Sequence, residues 1–255
     1  MQIDKAVDIL WEALQQGRHY PEALQGQLTL TEAYRVQLGV LARAVAAGEK
    51  HAGWKIGLSA EVLRQRFQTT APVFGYLLRS RHFASAASFP WASIPHPALE
   101  CELCLTLGET LRGPGVTRTH ALAAVAALTP ALEIVSLRGD MAADLPLSVA
   151  DNVSQWAFVT GQDITPYPGD LVLGQVTVEI LRHGQTVSRL LGAEVIDDQL
   201  QSLAWLANQL ATYGVALEAG QQVITGSFNA PAPVHPGEHW EARFAGVGTV
   251  TTAFV

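Results

Sequence analysis

The stretch ALECELCLTLG, residues 98–108, is apolar enough for a buried β-strand, yet it carries two carboxylates, Glu100 and Glu102. Side chains along a strand alternate faces with a period of two. Glu100, Glu102, Cys104 and Thr106 therefore share one face, and Cys101, Leu103, Leu105 and Leu107 the other. The two cysteines point to opposite sides and are the only two in the chain, which argues against a disulfide or a zinc site. They read as two buried thiols. The glutamates need another explanation, because a buried carboxylate is costly unless it is paired or bound to a metal. Two of them on one face, roughly 6.6 Å apart along the strand, can converge on one cation.

A third carboxylate fits the same pattern. Glu133, in TPALEIVSLR, stands between Leu132 and Ile134 in another apolar run. Any one of these glutamates could lie on a solvated strand face. Three in β context, with no histidine in either run and no usable cysteine, point to a hard cation such as Mg²⁺ or Mn²⁺ with oxygen ligands. Lys55 is one of only three lysines, set against thirteen arginines, and sits between Trp54 and Ile56. Partial burial is expected to lower its pKa and suit it to proton transfer; the competing reading is a lysine whose stem is buried and whose head reaches water. Asp151-Asn152 can supply hydrogen bonds to a site or serve a turn. TGSFNAPAP, residues 225–233, offers Gly226, Ser227 and backbone N–H groups as an anion-binding loop or an ordinary turn.

Outward from these strands the chain begins helical. Ile3, Ala6, Val7, Leu10 and Leu14 fall at helical spacing over residues 3–16. A second helix is predicted over 30–47, with Thr29 and Glu32 as a capping box and Gly48 at its end. After His51 short apolar runs alternate with glycine and proline. Strands are predicted over 53–59, 71–77, 98–108 and 131–138. A helix is expected over 118–128, and a loop leading into a strand over 148–160. Residues 175–191 read as a hairpin turning at His183-Gly184. A strong helix spans 197–214, and three further strands end the chain. Strands outnumber helices after residue 50 without regular βαβ alternation, so the fold class is α+β with a mixed, mostly antiparallel sheet. The organisation expected is an N-terminal helical segment, 1–50, packed on a catalytic domain, 51–255.

Bulk properties exclude several function classes. The 255 residues are 49% hydrophobic, enough for a full core, and the formal charge is -7. No basic run speaks for nucleic acid or an anionic membrane. No stretch of 18 apolar residues speaks for a transmembrane helix, and the N-terminus does not read as a signal peptide. Two cysteines that do not pair suit a reducing cytoplasm. Arg138-Gly139-Asp140 spells an adhesion tripeptide, discarded as a chance match.

The pieces GWKIGLS, PVFGYL, LECELCLTLG, LRGPGVT, PALEIVSLR, ADNVSQWAFVTG, AWLANQLATYGVALEAGQ, TGSFNAPAPVHPGE and GVGTVTTAF occur in this order. In this the chain resembles the hydratase/decarboxylase family of aromatic meta-cleavage pathways. That family includes 2-hydroxypenta-2,4-dienoate hydratase, 2-oxohept-enedioate hydratase and 4-oxalocrotonate decarboxylase, of the fumarylacetoacetate hydrolase-like fold. The resemblance implies a metal triad of Glu100, Glu102 and Glu133 and an active-site lysine, Lys55. It implies substrate contacts at Phe74, Gly75, Leu77, Asn152 and Ser227. It implies a divalent cation, Mg²⁺ or Mn²⁺, that acts as a Lewis acid on the C1 carboxylate and C2 oxygen of a 2-hydroxy-2,4-dienoate. Homo-oligomers are implied as well, with a complex with a pathway enzyme left open.

Three departures from the family pattern bear on the substrate rather than on the metal. Val73 stands where many hydratases have an acid, Ala98 where a basic residue is usual, and Ile196-Asp197-Asp198 where Gly-His-Pro is usual. The leading reading is a metal-dependent hydratase making a 4-hydroxy-2-oxo acid. The runner-up is a decarboxylase of a 2-oxo-enedioate such as 4-oxalocrotonate, and a third is a non-catalytic partner subunit of such a complex.

Overall fold

The computed structural model describes residues 2–164, 166–167, 169 and 171–255. Helix α1 (Ile3–Gln15) and helix α2 (Leu30–Ala46) open the chain. Thr29 caps α2 as expected: its side chain accepts from Glu32 N, and Glu32 answers at Thr29 N over 2.8 Å. Val7 and Leu10 of α1, and Tyr34, Val36 and Val40 of α2, enter the same apolar core as the strands that follow. The helical start is therefore docked, as its apolar stripes require.

The strands are β1 (His51–Gly57), β2 (Val73–Leu78), β3 (His82–Ala84), β4 (Ala87–Phe89), β5 (Pro97–Leu107), β6 (Val125–Ser136), β7 (Gln155–Thr160), β8 (Thr177–Arg182), β9 (Gln185–Leu191), β10 (Gln222–Ser227), β11 (Ala232–Pro233), β12 (His239–Phe244) and β13 (Gly248–Phe254). Between them lie helices α3 (Glu61–Arg66), α4 (Arg118–Ala124), α5 (Leu145–Ala150), α6 (Gly192–Val195) and α7 (Gln199–Ala211). One sheet runs β2, β1, β10, β5, β6, β7, β3, with β11 on β5; a second runs β4, β13, β12, β8, β9. Pairing is mostly antiparallel, with parallel pairs at β1–β10, β3–β7 and β4–β13. The expected α+β class with a mixed sheet is what the chain adopts.

The period-two reading of β5 holds. Leu99, Cys101, Leu103, Leu105 and Leu107 face the main core, whereas Cys104 joins Leu77, Ala131, Phe158 and Ile224 in a small cluster on the opposite face. Leu77 on β2 and Phe158 on β7 belong to strands near opposite ends of the sheet order, yet those two strands approach each other, so the sheet curls over this second face. Both cysteines are buried free thiols.

Two boundaries differ from expectation. The helix expected over 118–128 ends at Ala124, and β6 starts at Val125 rather than at 131. Val125 and Ala127 continue the ladder to Leu107 and Thr106 of β5, so long-range pairing overrides the helix preference of alanine and leucine. The expected loop from 148 contains α5, capped by the Asp144 side chain at Leu147 N, followed by three residues in the left-handed region, Asn152 (φ 62), Val153 (φ 51) and Ser154 (φ 60). The hairpin at His183-Gly184 forms with both turn residues at positive φ, as the primed turn demands.

Candidate metal centre and its lysine

β5 and β6 pair in register with Glu100 opposite Glu133. That pairing brings the three predicted glutamates together: one oxygen from each of Glu100, Glu102 and Glu133 lies within 4.8 Å of the others. Lys55 arrives from β1, two strands away, with Nζ 2.6 Å from Glu133 Oε1 and donating to Val153 O over 3.1 Å. Glu133 is 0% exposed, Glu102 1% and Lys55 3%, while Glu100 is half-buried. Glu102 Oε2 accepts from Gly226 N at 2.8 Å. Gly226 lies at φ 114, and a Cβ there would collide with Ser59 Oγ, so only glycine brings this N–H to the carboxylate.

The residues fit a divalent cation. Three carboxylates, when ionised, against one ammonium leave two negative charges in the pocket, which a dication balances. Neither oxygen of Glu133 has a well-formed hydrogen bond, although Lys55 Nζ lies close to Oε1. An orphan of this kind inside a protein calls for an ion or water. An all-oxygen donor set selects a hard cation over zinc or copper.

Protonation follows the same electrostatics. Burial, then the Glu133 charge, raises Glu100 to about 7 despite Lys55. Burial followed by its two carboxylate neighbours puts Glu102 well above the ordinary range, and burial raises Glu133 against the pull of Lys55. The expected depression of Lys55 is corrected. Burial is its largest single influence and does lower it, but Glu133, Glu100 and Glu102 together outweigh burial and the net direction is up. A dication among the carboxylates would remove much of that pull and leave the lysine readier to release a proton.

A pH dependence follows. The three glutamates bind protons more tightly in the folded, chelated protein than in the unfolded chain, so their stabilising contribution is lost as pH rises through their raised pKa values. His51 and His82 shift downward, mainly by burial, and act in the opposite sense as pH falls through their ordinary 6.5, where the effect is only partly developed. Protein treated with EDTA should therefore melt at a higher temperature at pH 6.5 than at pH 8. Mg²⁺ at about 100 times its Kd should raise the melting temperature by about 5–10 °C at pH 8, and by less at pH 6.5, where protons compete for the ligands. Thermal melts at the two pH values check this.

The remaining predicted residues divide by face. Gly75 pairs with Lys55 across β1–β2, and Leu77 stands on the same face. A Cβ at Gly75 would lie 2.8 Å from Asn152 Oδ1 and 3.1 Å from Lys55 Cγ, so the glycine makes room for both. Phe74 points the other way and stacks on Tyr34 at 4.1 Å, 0% exposed, so its side chain does not face the carboxylates. Asn152 brackets Tyr76, accepting from its N–H at 2.7 Å and donating to its carbonyl at 3.0 Å. Ser227 lies opposite Glu102 in register, but its hydroxyl donates to Asn229 O at 2.6 Å. The TGSF loop thus spends its central N–H on a glutamate. Sequence reasoning missed Ser59 and the Val153 carbonyl; neither carries a signal before the chain is folded. Left-handed Val153 is costly, about 1–3 kcal/mol for such a residue.

Val73, Ala98 and Asp197-Asp198, expected to bear on the substrate, are built into the fold. Val73 and Ala98 are both 0% exposed. Asp198 caps α7 through Leu200 N and Gln201 N and pairs with Arg118. Asp197 holds Arg64 and Glu61 N of α3.

Comparison with known proteins gives the family. The family model described as fumarylacetoacetate (FAA) hydrolase C-terminal matches residues 46–255. The chain belongs to this family. Among its relatives, 2-hydroxyhexa-2,4-dienoate hydratase of Comamonas testosteroni is 32% identical over 250 residues, covering 96% of this chain and 94% of that protein. The 4-oxalocrotonate decarboxylase of Pseudomonas sp. strain CF600 is 31% identical over 229 residues, covering 89% and 86%. The solved structure of 4-oxalocrotonate decarboxylase from Pseudomonas putida G7, complexed with magnesium and adipate, superposes with a TM-score of 0.91. It is 27% identical and covers 100% of this chain and 97% of that one. In the family's frame, the N-terminal helices lie mostly outside the matched region yet share its core. Among the described residues no helix is long and apolar enough to cross a membrane.

Proposed function

We propose that this protein is a divalent-metal-dependent hydratase that adds water to a 2-hydroxy-2,4-dienoate, giving a 4-hydroxy-2-oxo acid. The observation that carries the reading is the convergence of Glu100, Glu102 and Glu133 on one face beside the buried Lys55. The hydratase relatives of near-full length support it. The three glutamates would hold Mg²⁺, with Mn²⁺ an acceptable substitute. When bound, the cation supplies Lewis-acid polarisation at the substrate's C1 carboxylate and C2 oxygen.

The chain's own residues do the rest. Ketonisation moves the enol proton from the C2 oxygen to C5; water then adds across C3 and C4, its hydroxyl to C4 and its proton to C3. Lys55 is the acid–base side chain beside the carboxylates that is not itself a candidate ligand, and we assign it these proton transfers. The Val153 carbonyl orients its ammonium. Gly226 N–H fixes the Glu102 carboxylate. Leu77, Ala131, Phe158 and Ile224 form a fully buried apolar cluster on the same face, which keeps that side of the charged groups dry.

A second reading, decarboxylation of a 2-oxo-enedioate, is favoured by the full-length superposition on 4-oxalocrotonate decarboxylase and by the apolar Val73. Both reactions need the same polarised 2-oxo acid, so the ligands do not separate them. The deciding experiment follows the ultraviolet decay of freshly generated 2-hydroxypenta-2,4-dienoate with Mg²⁺ and then with EDTA, beside a 4-oxalocrotonate sample. Metal-dependent loss of the dienoate establishes the hydratase; loss of oxalocrotonate alone, with CO₂ release, establishes the decarboxylase. Turnover by the purified chain also removes the partner-subunit reading. Two unpaired thiols suit the cytoplasm, and a homo-oligomer is expected, to be checked by light scattering.

A further inference from the structure

Arg138 follows the end of β6, the strand that carries Glu133, and its side chain is buried. Its guanidinium reaches three acceptors: Asp151 Oδ2 at 2.8 Å, Asp151 O at 2.7 Å and Gln155 O at 3.2 Å. Asp151 and Gln155 flank the left-handed run Asn152, Val153 and Ser154. The carbonyl in the middle of that run, Val153 O, is the one that receives Lys55 Nζ. One planar fork thus fastens both ends of a three-residue arch whose crown holds the lysine.

We infer that Arg138 is a positioning residue: it closes the Asp151–Gln155 arch and so sets the Lys55 ammonium against Glu133. The inference rests on the role proposed above for Lys55. A run of three non-glycine residues at positive φ, one of them β-branched, persists only where its surroundings over-determine it. Asn152, bracketing Tyr76, supplies one restraint, Lys55 at Val153 O a second, and Arg138 holds the two ends. Arginine is needed because its donors are fixed in a plane that spans both carbonyls; a lysine offers charge to Asp151 without the span. A cavity of about 380 Å³ opens onto Arg138, Asp151, Asn152 and Gln155, so a free guanidinium ion can enter.

The test compares Arg138→Lys and Arg138→Ala with wild-type full-length protein. The readouts are kcat and KM for the dienoate, Mg²⁺ affinity, and acetylation of Lys55 followed by mass spectrometry, with exposed Lys5 and Lys50 as internal standards. Both variants should lose about 10- to 100-fold in kcat, as expected for a displaced acid–base group, with KM and Mg²⁺ affinity little changed. Lys55 should be acetylated faster in both variants; millimolar guanidinium should recover kcat and Lys55 protection in Arg138→Ala but neither in Arg138→Lys. A merely stabilising ion pair would instead lower the melting temperature and leave kcat and Lys55 labelling of the folded variants unchanged. A folded Arg138→Lys variant with wild-type kcat and wild-type Lys55 labelling overturns the inference. So does a loss in Arg138→Ala that guanidinium leaves unchanged in both readouts. Should wild-type protein leave the dienoate untouched, the hydratase reading fails by itself, and Lys55 labelling still decides the role of Arg138.

Discussion

Lys55→Met should lower kcat by about 10²- to 10⁴-fold, the range that a positioned acid–base group supplies, while the protein still binds Mg²⁺. Methionine matches the length of the lysine stem and removes the charge. The pocket then holds three carboxylates and no ammonium, so the affinity for a dication should be unchanged or tighter. The cost appears without metal: Glu133, 0% exposed, loses the cation 2.6 Å from its Oε1. The chelated variant should therefore melt below wild type at pH 8, and Mg²⁺ should close the gap. Calorimetric titration with the dienoate assay checks both halves. Wild-type rates in this variant would remove Lys55 from the mechanism.

Glu102→Gln should have the opposite signature. The amide is isosteric and its oxygen can still accept from Gly226 N, so the fold survives. The charge is what the cation needs. Removing a direct ligand should weaken Mg²⁺ binding by more than the roughly 10–100-fold typical of groups that only support ligands, and turnover at a fixed metal concentration should fall with it. In EDTA, however, the variant should melt at or above wild type at pH 8, because a buried carboxylate crowded by Glu133 and Glu100 has gone. Unchanged Mg²⁺ affinity would rule Glu102 out as a ligand. The two substitutions thus separate the proton-transfer group from the metal group by measurements that move in different directions.

Much of this site is legible before folding because its logic is local. The alternation in 98–108 places Glu100 and Glu102 on one face and parts the cysteines, and the structure keeps that arrangement. The apolar surroundings of Glu133 and Lys55 mark both as costly, and costly buried charges gather where they can offset each other. The capped helices and the His183-Gly184 hairpin are equally local, since a cap or a turn is written in two to four adjacent residues.

Other features depend on partners far away in the chain. The start of β6 at Val125 is decided by β5, which outbids a helix-favouring run. Which face Phe74 takes is decided by the register of β2 on β1, and that register turns its ring to Tyr34. The upward shift of Lys55 needs three carboxylates from two other strands; burial alone argues the reverse. The left-handed arch at Asn152–Ser154 has no glycine to announce it, because it is held by Tyr76 and Arg138 rather than by its own preference. The sequence by itself determined the charged groups and the face each strand shows, since these depend on composition and a period of two. Only the tertiary structure decided how those groups meet, because net charge, strain and pKa in a buried site are sums over neighbours that long-range pairing brings together.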